Sequence, residues 1–211
     1  MAQTDTKMKI IDTAERLFAR DGFHMASLRT LTDQADVNLA AVNYHFGSKE
    51  GLLQAVIERR ILPLNEIRAE KMTEVLDQAT AAGQRPLAKR LLQAFIGPTL
   101  EFRNSGPGAK DFIAMVGRSL SEPDETVRNH FIPQVLPNFK ILFRGLKKAI
   151  PELPENLLMA RLQFTMGSMS HMMCSSSQLG QLFPDIPEPL NDKEMVTALI
   201  DYVSAGLEAP F

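Results

Sequence analysis

Between positions 43 and 49 lies a cluster of hydrogen-bonding side chains: the amide of Asn43, the phenol of Tyr44, the imidazole of His45 and the ammonium group of Lys49. An amide can make a bidentate contact with adenine in the major groove of DNA. The other three groups can bind phosphate oxygens, which fix the orientation of a protein on a duplex. The cluster predicts a surface that reads double-stranded DNA, centred on Asn43. Tyr44 and His45 could instead only pack the edge of a domain.

The residues around this cluster predict a short helix that presents it. Asn38 can cap a helix that begins at Leu39, because its side-chain oxygen can accept a free N–H of the first turn. Gly47 can end that helix after about His45. Helical spacing sorts its residues into a core-facing set, Ala41, Val42 and Phe46, and an outward set, Leu39, Ala40, Asn43 and Tyr44. Leu39 and Ala40 could touch thymine methyl groups, so the predicted readout is partly apolar.

A second short helix is predicted just before this one. Within residues 27–35, Leu28, Leu31 and Ala35 fall on a single face, and residues 36–37 form a tight connection. Two short helices joined in this way are typical of a helix-turn-helix, in which the second helix reads bases and the first crosses the phosphate backbone. Residues flanking the reading helix complete the predicted DNA-binding set: Ser27, Arg29, Asn38 and Lys49.

Three strings place this motif in a longer pattern: Ile11-x-x-Ala14-x-x-Leu17-Phe18-x-x-x-Gly22-Phe23, then Ala35-Asp36-Val37, then Tyr44-x-Phe46-x-Ser48-Lys49-x-x-Leu52-Leu53. Together they resemble the DNA-binding domain of the TetR family over residues 8–53. The resemblance implies a transcriptional regulator, in the usual case a repressor, that binds a palindromic operator as a homodimer. It also implies that the C-terminal half holds a ligand pocket and the dimer interface.

The recognition segment, residues 37–49, is most similar to that of PsrA-like regulators of fatty-acid metabolism. This likeness implies a small apolar effector, either a long-chain fatty acid or its acyl-CoA ester. Many family members carry lysine or arginine near position 39, where this chain has leucine. An operator sequence is therefore not carried over from them.

Bulk charge gives no sign of a nucleic-acid partner. The 211 residues have a net charge of −2, and residues 1–51 hold six basic and seven acidic side chains. The DNA-binding interpretation depends on placement, because Arg29, Lys49 and the N-termini of three short helices can meet phosphates locally. We expect modest non-specific affinity and a salt dependence set by few contacts.

Composition favours a cytoplasmic globular protein with no membrane partner. Hydrophobic residues make up 45% of the chain, yet no apolar run reaches the ~18–20 residues that span a bilayer. Residues 1–8 lack the apolar core of a signal peptide. Cys174 is the single cysteine, so no intramolecular disulfide can form. No residue pattern requires a cofactor or a metal ion.

Strand patterns are nearly absent, so we predict an all-α fold with a three-helix DNA-binding domain at 1–52 and a larger helical domain at 53–211. After a helix at about 5–21, a helix capped by Ser48 should kink or break at Leu62, before Pro63, and resume to about residue 82. The family resemblance implies that the signal passes through this helix, because it alone would belong to both domains. Further helices are predicted near 87–104, 109–121, 124–149, 155–176 and 192–208. The first of these should bend at Pro98 and the third at Pro133 and Pro137. A loop should fill residues 175–191.

The C-terminal half is rich in apolar side chains that would line a pocket or fill a core. The predicted ligand-binding set is Phe95, Phe102, Phe112, Met115, Arg118, Phe139, Phe143, Arg161 and Phe164. Its two arginines could meet an acidic head group or could equally be surface residues. Phenylalanines at helical spacing are often plain core residues, as methionines often are.

Two apolar stripes near the C-terminus predict the dimer interface. One comprises Leu158, Leu162, Thr165, Met169 and Met172. The other comprises Met195, Leu199, Ile200, Val203 and Leu207. Two such helices from each subunit would form a four-helix interface, and the resulting two-fold symmetry suits a palindromic operator.

Three other functions compete with this interpretation. His171 and Cys174 lie three residues apart on one helical face, but no orienting acid is recognisable, which argues against an enzyme. A TetR-fold protein could bind dispersed DNA sites without controlling transcription, for instance as a nucleoid-associated cell-division factor. Cys174 could also sense redox conditions.

Overall fold

The protein is described here from a computed structural model that covers residues 2–103, 105–106, 108–121, 125–174 and 190–211. Within those ranges the chain forms nine α-helices and no strand. The helices are α1 (Ala2–Asp21), α2 (Leu28–Ala35), α3 (Leu39–Phe46), α4 (Lys49–Ala81), α5 (Ala88–Arg103), α6 (Ala109–Ser121), α7 (Glu125–Ala149), α8 (Glu155–Cys174) and α9 (Asp192–Leu207). The predicted all-α fold is confirmed. The predicted loop at 175–191 lies almost entirely outside the described residues.

The first three helices enclose a small core of their own that the start of α4 completes. Ile10, Leu17 and Phe18 of α1 are fully buried, as are Val42 of α3 and Leu52 of α4. The connections have the backbone that their residues favour: the C-cap of α2 is left-handed, with φ 53° at an aspartate, and the C-cap of α3 is a glycine with φ 74°. Local signals thus explain where these short helices begin and end.

Helix α4 runs through Pro63 for 33 residues, which excludes the break that was one of the two predicted outcomes here; the kink stays a prediction. Proline removes one helical hydrogen bond and costs roughly 3 kcal/mol inside a helix. Pro63 lies on the exposed side of α4, where water can satisfy the carbonyl group that lost its donor. The opposite side buries Val56, Ile57, Ile61 and Leu64, and this burial outweighs the cost. Pro98, Pro133 and Pro137 are likewise accommodated within α5 and α7.

Within the described residues, α4 is not the only helix that contacts both parts of the molecule. Helix α1 also packs against α6, where Arg118 donates a 2.8 Å hydrogen bond to the carbonyl oxygen of Ala19. Glu15 of α1 forms ion pairs with both Arg59 and Arg60 of α4. The reading domain therefore rests on the C-terminal part through several contacts. The boundary at residue 52 stays a prediction.

Helices α4 to α9 pack around a second apolar core. Helix α4 contacts α5 and α7, α6 contacts α8, and α9 covers α5 and α8. Fully buried side chains from three of these helices, Leu91, Phe112 and Leu158, lie within it. Across the part of the chain that the structure describes, no helix is long and apolar enough to cross a bilayer.

Candidate nucleic-acid interface and internal cavity

Each of the three helices around the predicted reading surface begins with a side-chain cap. Ser27 Oγ accepts a 3.0 Å hydrogen bond from the Thr30 amide at the start of α2. Asn38 Oδ1 accepts a 2.9 Å bond from the Ala41 amide at the start of α3, and Ser48 Oγ accepts a 3.0 Å bond from the Gly51 amide of α4. A cap of this kind stabilises a helix by about 1 kcal/mol. Three caps within 22 residues explain how an eight-residue helix can hold a fixed orientation.

The outward face of α3 carries the side chains predicted to read DNA. Leu39 is 49% exposed and Tyr44 is 73% exposed, and Ala40 and Asn43 are also exposed. Val42 is fully buried on the other side, where the predicted inward partners Ala41 and Phe46 lie partly buried. The predicted division of this helix into two faces is confirmed. The roles of the exposed side chains in base recognition stay predictions.

The predicted phosphate contacts differ in how they are held. Arg29 lies exposed on α2. The rings of Tyr44 and His45 meet edge to face with centroids 5.1 Å apart, and His45 is half-buried, so His45 both packs and borders the surface. Ser27 pairs with Thr30 Oγ1 at 2.8 Å in addition to its capping bond.

Lys49 has structural contacts of its own. Its Nζ donates a 3.3 Å hydrogen bond to the carbonyl oxygen of His24 and lies 4.5 Å from the centroid of the Phe23 ring. Burial lowers the pKa of the Lys49 ammonium group, an effect that neighbouring Glu50 opposes. Lys49 therefore ties the start of α4 to the loop between α1 and α2.

Two of the acidic residues that made residues 1–51 net negative are neutralised by α4. Arg59 Nη1 lies 2.5 Å from Asp12 Oδ1, and Arg60 Nη2 lies 2.6 Å from Glu15 Oε1. Both arginines stand just beyond residue 51, so a charge count ending there misses them. The acidity of the reading domain is thus smaller than its sequence composition indicates.

A cavity of about 400 Å³ lies in the C-terminal part. Five helices, α4 to α8, contribute to its lining. Most lining residues are apolar, and among them are Phe95, Phe112 and Phe139 from the predicted ligand-binding set. Pockets of 300–1,000 Å³ with apolar walls and few polar groups are typical small-molecule sites.

Of the described residues that line the cavity, one is charged: Arg68 of α4, which the sequence interpretation missed. Arg68 is 2% exposed, and burial lowers its pKa to about 10, so the guanidinium stays protonated at neutral pH. A signal for it was present: Ile61, Leu64, Arg68, Met72 and Val75 follow one another at helical spacing, and Arg68 occupies an apolar position in this stripe. The charges around it, Glu66, Glu70 and Lys71, made the segment resemble a solvated face.

Six members of the predicted ligand-binding set do not line the cavity. Phe102, Met115 and Phe143 pack in the core beside it. Phe164 is 72% exposed on α8, so its assignment to the interior was wrong; α8 buries the opposite side, which carries Leu158 and Leu162.

The two arginines of that set bind backbone carbonyl groups elsewhere. Arg118 reaches Ala19 at the end of α1. Arg161 Nη1 donates to the carbonyl oxygens of Leu207 and Ala209 at 2.8 and 2.7 Å, which holds the end of α9 against α8. Neither guanidinium faces the cavity in this structure, so the head-group role predicted for them is not supported.

The stripes predicted as a dimer interface are largely used within one subunit. Leu158, Leu162, Thr165 and Met169 of α8 are buried, as are Ile200, Val203 and Leu207 of α9. The same helices expose residues at positions i, i+3 and i+7, of which Met195 alone belongs to a predicted stripe. These are Phe164, Gly167 and His171 on α8, and Met195, Ala198 and Tyr202 on α9.

The pair considered for an enzyme is not assembled into a described site. His171 is exposed, and the side chain of Cys174 lies outside the described residues. Within the described ranges, no three His, Cys, Asp or Glu side chains come together in a way that could hold a metal ion.

Relatives of known sequence match only part of the chain. The nicotine-responsive transcriptional repressor HdnoR of Paenarthrobacter nicotinovorans is 42% identical over 55 residues, which are 26% of this chain and 28% of HdnoR. The regulator UidR of Escherichia coli is 35% identical over 52 residues, 25% of this chain and 26% of UidR. The chain thus spans about a quarter of the length of these relatives. The Bacillus subtilis regulator YerO is 27% identical over 139 residues, 65% of this chain and 44% of YerO.

Solved structures match the fold over nearly the whole chain. The regulator FadR of Bacillus subtilis, in complex with stearoyl-CoA, has a TM-score of 0.66 at 16% identity and covers 94% of this chain and 98% of its own. The fatty acid degradation regulator FadR of Bacillus halodurans has a TM-score of 0.67 at 14% identity, with 96% of each chain covered. At such low identity the likeness concerns the fold alone.

Family models cover both parts of the molecule. The model for bacterial regulatory proteins of the tetR family matches residues 10–56. The model for the tetracyclin repressor-like C-terminal domain matches residues 93–206, which is more than half of the chain. Both models describe regulatory proteins rather than enzymes. The chain therefore belongs to the TetR family of bacterial transcriptional regulators.

Proposed function

We propose that this regulator is a repressor that binds a palindromic operator as a homodimer and releases it when a fatty acid or acyl-CoA effector enters the cavity. One observation carries the proposal: α4 links the two sites. Two residues separate its start from the end of the reading helix, and it lines the cavity with Ile61, Leu64 and Arg68. At 1.5 Å per residue, about 28 Å of continuous helix connects Lys49 to Arg68.

DNA recognition would centre on the outward face of α3. The Asn43 amide would contact adenine, and Leu39 and Ala40 would lie against thymine methyl groups. Arg29, Tyr44, His45 and Lys49, with the caps Ser27 and Asn38, would position the helix on the phosphate backbone. Few of these side chains are cationic, so the salt dependence of binding should be shallow for a helix-turn-helix dimer.

The exposed faces of α8 and α9 support the homodimer. Phe164 and Tyr202 are 72% and 70% exposed in the single subunit, and Gly167 and Ala198 beside them are small enough for close helix approach. Large exposed apolar side chains at helical spacing mark a surface that another protein covers. A two-fold interface here would place two copies of α3 on successive half-sites.

The effector class is supported by the cavity and by the fold. A volume of about 400 Å³ with mostly apolar walls suits a ligand with an aliphatic chain. The structural relative from Bacillus subtilis holds stearoyl-CoA, which shows that a fold of this shape can bind an acyl chain. For the present chain, the fatty-acyl effector is our proposal.

The test combines operator selection with effector titration. Purified protein is used to capture genomic DNA fragments, and gel shifts on the selected sites are then titrated with oleate and with oleoyl-CoA. The proposal predicts two-fold-symmetric sites near a few promoters and release by at least one of the two compounds. Many dispersed non-promoter sites would instead indicate a nucleoid-associated protein. If neither oleate nor oleoyl-CoA released the operator, the proposal of a fatty-acyl effector would be wrong.

The dimer is tested separately by replacing Phe164 with glutamate. We expect the variant to elute as a monomer on size exclusion and to lose operator affinity, since one half-site alone binds weakly. An unchanged dimer would place the interface elsewhere.

A further inference from the structure

The guanidinium of Arg68 has no acidic partner among the described residues. Its Nε donates a 3.1 Å hydrogen bond to the carbonyl oxygen of Phe95, its Nη1 donates a 3.3 Å bond to Asn65 Oδ1, and its Nη2 donates to Thr99 Oγ1. All three acceptors are neutral. The guanidinium carbon also lies 4.7 Å from the centroid of the Phe95 ring. A positive charge is thus buried in an apolar part of the protein without a carboxylate to balance it.

These contacts leave part of the guanidinium available to a ligand. An arginine side chain has five N–H groups, and the three bonds above use three of them. Two donors remain, and the side chain borders the cavity. Acceptors on α4 and α5 hold the planar group in place, and a fixed planar fork is the geometry that binds a carboxylate best.

A buried, unpaired charge lowers the stability of a folded protein, and a methionine of similar length would fill the same space more favourably. The other polar side chains of the cavity wall, Thr99, Gln163 and Ser170, are uncharged. Among the described residues of the wall, a bound carboxylate would therefore find one cation and no competing anion. A purely structural role is the opposing explanation, since the hydrogen bonds of Arg68 tie α4 to α5 and reach Asn65, which bonds to α7.

We propose that Arg68 binds the free carboxylate of the effector, so that the ligand class is an unesterified monocarboxylic acid with an apolar tail. This inference rests on the proposed effector cavity and narrows its occupant. The tail would lie among Phe112, Phe131 and Met169, which line the same cavity. An acyl-CoA thioester has no carboxylate at the end of its acyl chain, and the described residues of the wall include no second cation for its phosphates.

Three ligands of the same chain length separate the possibilities: oleate, methyl oleate and oleoyl-CoA. Their affinities for the full-length dimer are measured by calorimetry, together with operator release in gel shifts. A charge-assisted hydrogen-bonded pair is worth about tenfold or more in affinity, so wild-type protein should bind oleate at least about tenfold more tightly than methyl oleate. Equal affinity of wild-type protein for acid and ester would overturn the proposal and leave the cavity assignment standing. If none of the three bound, the proposed fatty-acyl effector itself would fail.

Substitutions of Arg68 distinguish ligand binding from a structural role. In R68M, the preference for the acid over the ester should disappear while methyl oleate still binds, and the Tm without ligand should equal or exceed that of wild type. R68K keeps the charge and should recover part of the preference. R144M, which removes an exposed arginine of α7, is the matched control. It should change neither the preference for the acid over the ester nor the Tm without ligand. A preserved acid preference in folded R68M, or a fall in Tm with no change in preference, would assign Arg68 to structure alone.

Discussion

The reading surface and the cavity hold their functional side chains in opposite ways. On α3 one short helix exposes Asn43 and its neighbours to solvent, and three caps and a small core fix its orientation. Around the cavity, five helices bury the functional side chains, and Arg68 depends on acceptors from two of them. An exposed side chain of α3 such as Asn43 can be changed without affecting folding. At the second site, stability and ligand binding change together.

The two sites meet at the packing of α1 and α3 against α4. Glu15 is a buried carboxylate at this junction, with Arg59 and Arg60 around it, and Gly51 brings the start of α4 against the end of α3. Residues of this junction should therefore affect both sites. The following substitutions test whether the junction affects both sites while the reading surface can be altered alone, in order of decreasing expected effect.

Replacing Gly51 with alanine should have the largest effect. A Cβ at this position would lie 2.1 Å from the carbonyl oxygen of Phe46, a backbone atom at the end of α3. Helix α3 must then move away from α4, which we expect to cost about 3 kcal/mol or more in the free energy of unfolding. Thermal unfolding and operator binding should both be impaired. Gly97→Ala is the control, because its Cβ would meet nothing within 4 Å; unaltered stability in G51A would contradict the packing described.

Replacing Glu15 with glutamine should have the next largest effect. The Glu15 side chain is buried between two arginines that are themselves partly buried. Breaking a buried ion pair costs about 3–5 kcal/mol; since solvent reaches both guanidiniums, we expect about 2–3 kcal/mol here. Chemical denaturation measures this loss, and operator affinity should fall with it.

Asp5→Asn provides the matched control for Glu15. Asp5 pairs with Lys9 at 3.8 Å on the solvent-exposed side of α1. An exposed pair of this kind contributes little, so no measurable loss is expected. Equal effects of the two substitutions would show that burial does not set the strength of the Glu15 pairs.

The contrast between features set by neighbouring residues and features set by distant ones also explains what could be predicted from the sequence. The ends of α2 and α3 follow from Ser27, Asn38 and Gly47, because caps act within a few residues of where they stand. Helix α6 was likewise predicted at its observed bounds. The division of α3 into two faces needed only helical spacing.

Features that depend on distant residues could not be predicted in this way. The continuity of α4 through Pro63 results from burial against other helices, which local propensity does not contain. Arg68 was missed because charged neighbours in the sequence obscure its apolar stripe, and the acceptors that hold it stand on α5 as well as α4. Phe164 was assigned to the core since phenylalanine is usually buried, whereas its side of α8 has no partner helix within the described subunit.

Replacing Asn43 with alanine tests the reading surface alone. Loss of a bidentate amide–adenine contact costs about 1–3 kcal/mol, so affinity for the selected operator should fall by about 5- to 150-fold. Affinity for unrelated DNA and the Tm should not change, because Asn43 is exposed. The control is Asn129→Ala, which removes the same exposed amide from α7. If N43A kept wild-type affinity for the operator, another residue would have to be the centre of base recognition.

The smallest effects come from a matched pair of caps, Ser48→Ala at α4 and Asn191→Ala at α9. Ser48 Oγ accepts the Gly51 amide at 3.0 Å, and Asn191 Oδ1 accepts the Glu194 amide at the same distance. Each substitution should lower the free energy of unfolding by about 1 kcal/mol, measured by denaturant titration. They should differ in function: S48A loosens the junction between α3 and α4 and should weaken operator binding, whereas N191A lies on the far helix and should not. If both variants lost operator affinity equally, orientation of the reading helix would depend on global stability, and the two sites would not be separable in the way their geometry indicates.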